Sequence, residues 1–357
     1  MMNAEDMLTF LPILRGTLAS PSGDEDNPWQ RVILSPAGDD ANPAVALDLP
    51  TGTDDEMRAA LDAAFGKSRP RHIELKGLGV FESSTDSSPC PLSNRVALVT
   101  GAAGAIGAGI CRGLLESGCR VAATDVKQDA LDALVAEFKS IAGDHIRGVV
   151  ADVTSRESIR AALAQVVGWW GGLDIAIPNA GLAHVSALED LALEDFQRLQ
   201  KVNVDGTLLT LAEAGALMRR QGTGGDIVMV STKNVFAPGA QFGAYSATKA
   251  AAHQLARIAS LEFAPHDVRV NMVAPDAVFS EGDRKSGLWA EVGPSRMQAR
   301  GLDEKGLEAY YRDRNLLKAR VTARHVANAV LFFVTRQTPT TGATIPVDGG
   351  LPDATPR

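Results

Sequence analysis

The chain has 357 residues, of which 45% are hydrophobic and 22% charged, and a formal net charge of −8. That length can bury one large core or two unequal ones, and the composition excludes disorder of the whole chain. The negative balance argues against a surface built for nucleic acid or anionic lipid, which needs clustered positive charge, and leaves small-molecule chemistry as the starting expectation.

At the N-terminus, Glu5 and Asp6 stand where a secretory signal would be basic. No apolar run approaches the ~20 residues of a membrane-spanning helix, so a cytoplasmic protein without membrane contact is expected. "RVIL" (31–34) predicts a short strand, and "TDDEMRAALDAAF" (53–65) predicts a helix opened by a capping box of Thr53 and Glu56. "HIELKGLGVF" (72–81) predicts a strand broken at glycine. Residues 1–81 are too few and too polar to bury much core alone, so this small α/β extension, of unassigned role, is expected to pack on the remainder or on another subunit. "FESSTDSSPCPLSN" (81–94) is rich in Ser and Pro and reads as a linker over 82–94, ahead of a main domain at 95–357.

From there the pattern is regular. "RVALVT" (95–100), "RVAATD" (120–125), "IRGVVAD" (146–152), "LDIAIPNA" (173–180), "GDIVMVS" (225–231), "VRVNMVAP" (268–275) and "ATIPVD" (343–348) are dense in Val, Ile and Ala, with helix-length segments between them. Continuous apolar strands alternating with helices predict an α/β fold: a doubly wound, mostly parallel Rossmann-type sheet with ligands at its carboxyl ends.

The first strand runs into "TGAAGAIGAGI" (100–110), where Gly101, Gly104 and Gly107 allow a tight turn and close approach of backbone N–H groups to a pyrophosphate at a helix N-terminus. A sharp strand-to-helix turn alone would also use them. The second strand ends in Asp125, 24 residues after Gly101, near the ~20-residue offset of a carboxylate that bonds the adenosine ribose. The same carboxylate repels a 2'-phosphate, so NAD is preferred over NADP, although Lys127 softens the repulsion. Cys90, Cys111 and Cys119 lack C-x-x-C spacing and the six histidines lack ligand spacing, so neither a disulfide framework nor a metal site is expected.

Taken in order, "TGAAGAIG" (100–107), "ADV" (151–153), "NAG" (179–181), "KVNV" (201–204), "YSATK" (245–249) and "TGATIPVDGG" (341–350) resemble the short-chain dehydrogenase/reductase family over residues 92 to about 351. The resemblance implies a nicotinamide cofactor held by Gly101, Gly104, Ile106 and Gly107 at the turn and by Asp125. It also implies contacts from Asp152 and Val153 to the adenine, from Asn179, Ala180 and Gly181 along the cofactor, and from Pro275 and Val278 near the nicotinamide. Asn203 would hold a relay water through its side chain or a distorted helix backbone.

Tyr245 and Lys249 share one helical face, which any i,i+4 pair does. Hydride transfer from an alcohol needs a group to take the hydroxyl proton, and a free tyrosine with a pKa of ~10 is a poor base at neutral pH. Lys249 would lower that pKa by its charge and bond the nicotinamide ribose. The family places a hydroxyl, usually serine, thirteen residues before the tyrosine; here that is Thr232, with Ser231 beside it.

Two departures stand out. Ala105 replaces a glycine, so its methyl is expected where backbone should approach the pyrophosphate, at some cost in affinity. Asp276, in "APDAVFSEG", replaces another and could bond a hydroxylated substrate or merely cap a turn. The segment from 276 to about 320 carries Trp289, Arg296, Arg300, Tyr310, Tyr311, Arg312 and Arg314, with acidic residues nearly in balance. "STKN" (231–234), "APDAV" (274–278), "YYRDRNLLK" (310–318) and the tail "VDGGLPDATPR" resemble the dehydrogenase half of fused class II aldolase/short-chain dehydrogenase proteins, without recognisable aldolase zinc ligands.

The expectation is therefore an NAD-dependent oxidoreductase acting on a small hydroxylated alcohol, hydroxyaldehyde or sugar derivative, with Asn203, Thr232, Tyr245 and Lys249 at its catalytic centre. The resemblance further implies a homo-oligomer, tetramer or dimer. A catalytically weak dinucleotide-binding regulatory module and an NAD-recycling epimerase or lyase stand as alternatives.

Overall fold

The computed structural model describes residues 4–38, 41–66, 68–281 and 284–354. Gly282 of "APDAVFSEG" and the last three residues of the tail lie outside the described residues. The apolar runs form seven strands: Val96–Thr100 (β1), Arg120–Asp125 (β2), Ile146–Val150 (β3), Ile175–Ile177 (β4), Gly225–Val230 (β5), Val268–Pro275 (β6) and Thr344–Val347 (β7). They pair in parallel throughout, in the order β7-β6-β5-β4-β1-β2-β3. The predicted doubly wound sheet is the observed one. Every residue of β1 is buried because both faces are covered: Val96 and Leu98 join one apolar cluster, Ala97 and Val99 the other. The strand order reverses between β1 and β4, which opens a crevice at their carboxyl ends.

The extension packs on this domain. Leu11, Ile13 and Leu14 of the helix Ala4–Leu18 share a core with Ile159, Leu163, Trp170 and Leu217 on the helices Arg156–Trp170 and Gly206–Gln221. No sequence signal announces Ala4–Leu18, since Pro12 and Gly16 interrupt its pattern. Packing overrides propensity here: a Cβ at Gly16 would come within 1.8 Å of the Gln221 carbonyl oxygen.

The extension also has a four-stranded sheet, ordered Ile33–Pro36, Gly79–Ser84, His72–Leu75, Val45–Leu47. The strand expected at 31–34 therefore starts two residues later, and the glycine break divides 72–81 into two antiparallel strands. The helix Asp54–Phe65 carries the expected capping box, with the Thr53 N–H donating to the Glu56 carboxylate at 2.7 Å. Residues 82–84, expected in the linker, complete the strand Gly79–Ser84. Among the described residues no helix is long and apolar enough to cross a membrane.

Candidate active site

A cleft of about 1390 Å³ opens at the carboxyl ends of the strands. The turn after β1 lines one end. Gly101 sits at φ +60°, where a Cβ would lie 2.9 Å from Ala180 Cα, and a Cβ at Gly107 would lie 2.4 Å from the Gly101 carbonyl oxygen. These two glycines let β1, the turn and the strand β4 end close on one another. Gly104 caps the helix Ala105–Glu116, whose first N–H groups have no intrahelical partner. Ala105 is 2% exposed and is one of the residues of the turn that line the cleft. Ile106 and Gly107 complete this wall.

At the end of β2 the Asp125 carboxylate accepts the Ala103 N–H at 3.2 Å and the Lys127 N–H at 3.1 Å, tying the acidic strand end to the glycine turn. Beyond β3, Asp152 accepts both the N–H and the hydroxyl of Thr154 at 2.8 Å, beside the nearly buried Val153. Both line the cleft. After β4, the Asn179 side chain donates to the carbonyls of Thr100 and Gly101 at 2.9 and 3.0 Å, and Ala180 N–H donates to Thr100 Oγ1 at 3.1 Å. A Cβ at Gly181 would lie 3.3 Å from Lys249 Nζ, so glycine there makes room for the ammonium. The turn, the carboxylate and the bare backbone of 179–181 fit a dinucleotide laid along the strand ends.

Lys201–Asp205 forms a π-helical turn, the distortion expected around Asn203. The fully buried Asn203 side chain is already committed. It accepts the Leu182 N–H at 2.8 Å and donates to Leu182 O at 2.9 Å and Thr248 Oγ1 at 3.0 Å. The backbone carbonyl is the other group expected to hold a relay water. It takes the Thr207 hydroxyl at 2.7 Å and keeps a second lone pair.

At the end of β5, neighbouring hydroxyls separate. Ser231 Oγ pairs with His253 Nδ1 at 2.9 Å, whereas Thr232 Oγ1 accepts the Asn234 N–H at 3.3 Å and hydrogen-bonds the Tyr245 side chain. The helix Gly243–Phe263 presents Tyr245 and Lys249 one turn apart, both buried. Burial pushes the Tyr245 phenol up to about 12, against the Thr232 hydrogen bond that favours its ionised form. Burial also pushes Lys249 down to about 8. The Lys249 ammonium donates to Val230 O at 2.9 Å. Buried Pro275 and Val278 line the cleft after β6. Asp276 pairs with Arg314, so that carboxylate is engaged within the protein.

Sequence reasoning missed Phe242, whose ring centroid lies 6.1 Å from that of Tyr245, and Lys233, whose ammonium donates to Ala237 O at 3.1 Å on the cleft wall. Their positions beside the Thr232 and Tyr245 motifs were the only available signal. Among the described residues, no three His, Cys, Asp or Glu side chains converge as metal ligands.

A family model described as short chain dehydrogenase matches residues 95–290. The chain is 33% identical over 288 residues to the uncharacterized oxidoreductase YuxG of Bacillus subtilis, covering 80% of this chain but 41% of that protein. It is 30% identical over 268 residues to glucose 1-dehydrogenase of Gluconobacter oxydans, covering 74% of this chain and 95% of that one. The solved structure of sorbitol-6-phosphate 2-dehydrogenase from Erwinia amylovora superposes with a TM-score of 0.66 at 27% identity, over 71% of this chain and 98% of that one.

Proposed function

The chain belongs to the short-chain dehydrogenase family, and from that membership we propose that it is an NAD-dependent oxidoreductase acting on a small polyhydroxylated alcohol or hydroxyaldehyde. The observation that carries the reading is the convergence of Thr232, Tyr245 and Lys249 on one cleft wall, with Ser231 turned away to His253. Glucose 1-dehydrogenase and sorbitol-6-phosphate 2-dehydrogenase among the similar proteins support a sugar-derived substrate. YuxG extends well beyond the shared part, which accords with the finer resemblance to the dehydrogenase half of fused proteins.

Oxidised nicotinamide, when bound, supplies the hydride acceptor. Gly101, Gly104 and Gly107 with the free N–H groups of the helix Ala105–Glu116 would hold its pyrophosphate. Asp125 would hold the adenosine ribose, Asp152 and Val153 would meet the adenine, and Pro275 and Val278 would lie by the nicotinamide. Thr232 holds the substrate oxygen. As the carbinol carbon gave up its hydride, leaving a carbonyl, the Tyr245 phenol would accept the hydroxyl proton while releasing its own toward neutral Lys249 and a water at the Asn203 carbonyl. Asp125 favours NAD over NADP.

Leu208, Ile258 and Leu261, exposed on the helices Gly206–Gln221 and Gly243–Phe263, support assembly with further copies. The pairing of Tyr245 and Lys249 on the cleft wall weighs against the regulatory-module alternative, and no observation favours a lyase or epimerase.

The test is reduction of NAD, and separately NADP, with a panel of polyols and hydroxyaldehydes. Tyr245→Phe should lower turnover about 1000-fold or more while NADH binding, followed by fluorescence, persists. Full activity in that variant would end the assignment.

A further inference from the structure

The cleft end away from the glycine turn is rich in cations that the chemistry at Tyr245 does not use. Arg296 is 7% exposed; its Nη2 donates to Ala240 O at 3.0 Å, and its Nε is buried without a partner. The guanidinium sits 4.3 Å from the Phe242 ring centroid and meets no carboxylate among the described residues. A guanidinium offers five donors, and burying its charge with so few answered is costly.

Arg300 stands 4.7 Å over Tyr310, also without a carboxylate among the described residues. Arg314 lies 4.1 Å over Tyr311 and pairs with Asp276, yet its Nε is buried and unpartnered. Lys233 lines the same wall; burial and then Arg314 hold its pKa down, with Arg296 acting the same way and Asp276 and Asp353 opposing.

The imbalance is local. Elsewhere in the segment after β6, Arg284 meets Glu137 at 3.0 Å, Lys285 meets Glu304 at 2.9 Å and Arg312 meets Asp313 at 2.8 Å. Of the cations that line the cleft, Lys285 has Glu304 and Arg314 has Asp276, while Arg296 and Arg300 have no carboxylate among the described residues and Glu291 is engaged by Arg198 at 3.4 Å. A positive pocket in a chain of net charge −8 is a property of this site and not of the surface as a whole.

Resting on the oxidoreductase reading above, we propose that Arg296, Arg300, Arg314 and Lys233 form a subsite for an anionic substituent of the substrate, a phosphate monoester or carboxylate carried apart from the carbinol carbon that is oxidised. Arg296 and Tyr245 both neighbour the Phe242 ring, at 4.3 Å from its centroid and at 6.1 Å between ring centroids, so the subsite adjoins the reacting end of the cleft. A phosphate or carboxylate would answer the free donors in planar, charge-assisted pairs.

The experiment uses the full chain and saturating NAD to compare kcat/KM for sorbitol, sorbitol 6-phosphate and gluconate. At least one anionic compound should exceed sorbitol about 30-fold or more, and Arg296→Gln should cut that ratio by a similar factor, with Arg296→Lys restoring part of it. Phosphate and carboxylate sources are separated by which compound leads. Sorbitol matching both anions in the native chain, or an unchanged ratio in the variant, overturns the subsite.

Binding is read independently from the rise in Tm given by inorganic phosphate over chloride of equal ionic strength with NADH saturating. The rise should be present in the native chain and lost in Arg296→Gln, or in Arg300→Gln should the first variant not fold. An equal rise in native and variant proteins overturns the subsite whatever the turnover shows. Absence of turnover for every compound, with NADH bound, overturns the oxidoreductase reading instead.

Discussion

The Arg15 guanidinium grips the Asp174 carboxylate twice, Nη2 to Oδ2 at 2.7 Å and Nη1 to Oδ1 at 3.2 Å, with the two side chains 1% and 0% exposed. Arg15 belongs to the N-terminal extension and Asp174 to the turn entering β4. Arg31 of the extension adds a second cation at 3.0 Å, and Asp174 also accepts the Val96 N–H that begins β1 at 2.8 Å. The carboxylate that organises the base of the sheet thus takes its charge partners from the extension. That makes the extension part of the folded domain.

Removing one member of a buried pair leaves the other charge uncompensated, so Arg15→Ala should destabilise the chain by about 3 kcal/mol in urea unfolding. Burial pushes the Asp174 carboxyl up, but Arg15 and Arg31 outweigh it and hold it at about 2, below the ordinary 3.8. A carboxyl lowered on folding stabilises above its ordinary value, and that contribution drains away as pH falls from about 4 toward 2. The acid loss should be smaller in Arg15→Ala; an unaltered urea midpoint and acid profile would refute the role given to the pair.

The strands and the chemical motifs were readable because both are local. Apolar runs separated by helices need a covered parallel sheet, and the turn 100–107 and the pair Tyr245 and Lys249 carry their geometry within a few residues. The pairing of Arg15 with Asp174 spans 159 positions and leaves no local trace, so Arg15 reads as one cation among many. Arg296 was visible as a lid arginine, but its want of a carboxylate exists only once the helices Gly287–Arg300 and Glu304–Asp313 are placed.

Thr232 and Ser231 give a sharp contrast. Thr232 meets Tyr245, and Ser231 is occupied by His253. Thr232→Val, which removes the hydroxyl at near-constant shape, should lower kcat about 100-fold with little change in NADH affinity. Ser231→Ala should act mainly on stability. Steady-state kinetics with the best substrate decides, and the reverse pattern would place the substrate oxygen at Ser231.

The buried Lys249 ammonium, pushed down to about 8, is charged below that pH and neutral above it. Tyr245, at about 12, remains protonated across the same range. Carbonyl reduction requires the protonated phenol and, in this reading, the ammonium that holds the ribose. The value of kcat/KM for NADH, which reports groups of the free protein, should therefore be flat below pH 8 and fall above it. A decline only near pH 10 would mean that Lys249 keeps an ordinary lysine pKa.

Gly104 and Gly107 separate the demands of the fold from those of a ligand. A Cβ at Gly107 would strike the Gly101 carbonyl oxygen at 2.4 Å, so Gly107→Ala should cost about 2 kcal/mol of stability through overpacking. A Cβ at Gly104 meets only that same oxygen, at an ordinary 3.5 Å, with φ −75° open to any residue. Nothing among the described residues requires glycine there. If its bareness serves a pyrophosphate approaching the helix N-terminus, Gly104→Ala should leave the urea midpoint nearly unchanged while raising the Kd for NADH about 10-fold. Unaltered NADH affinity in that variant would move the phosphate contacts away from this turn.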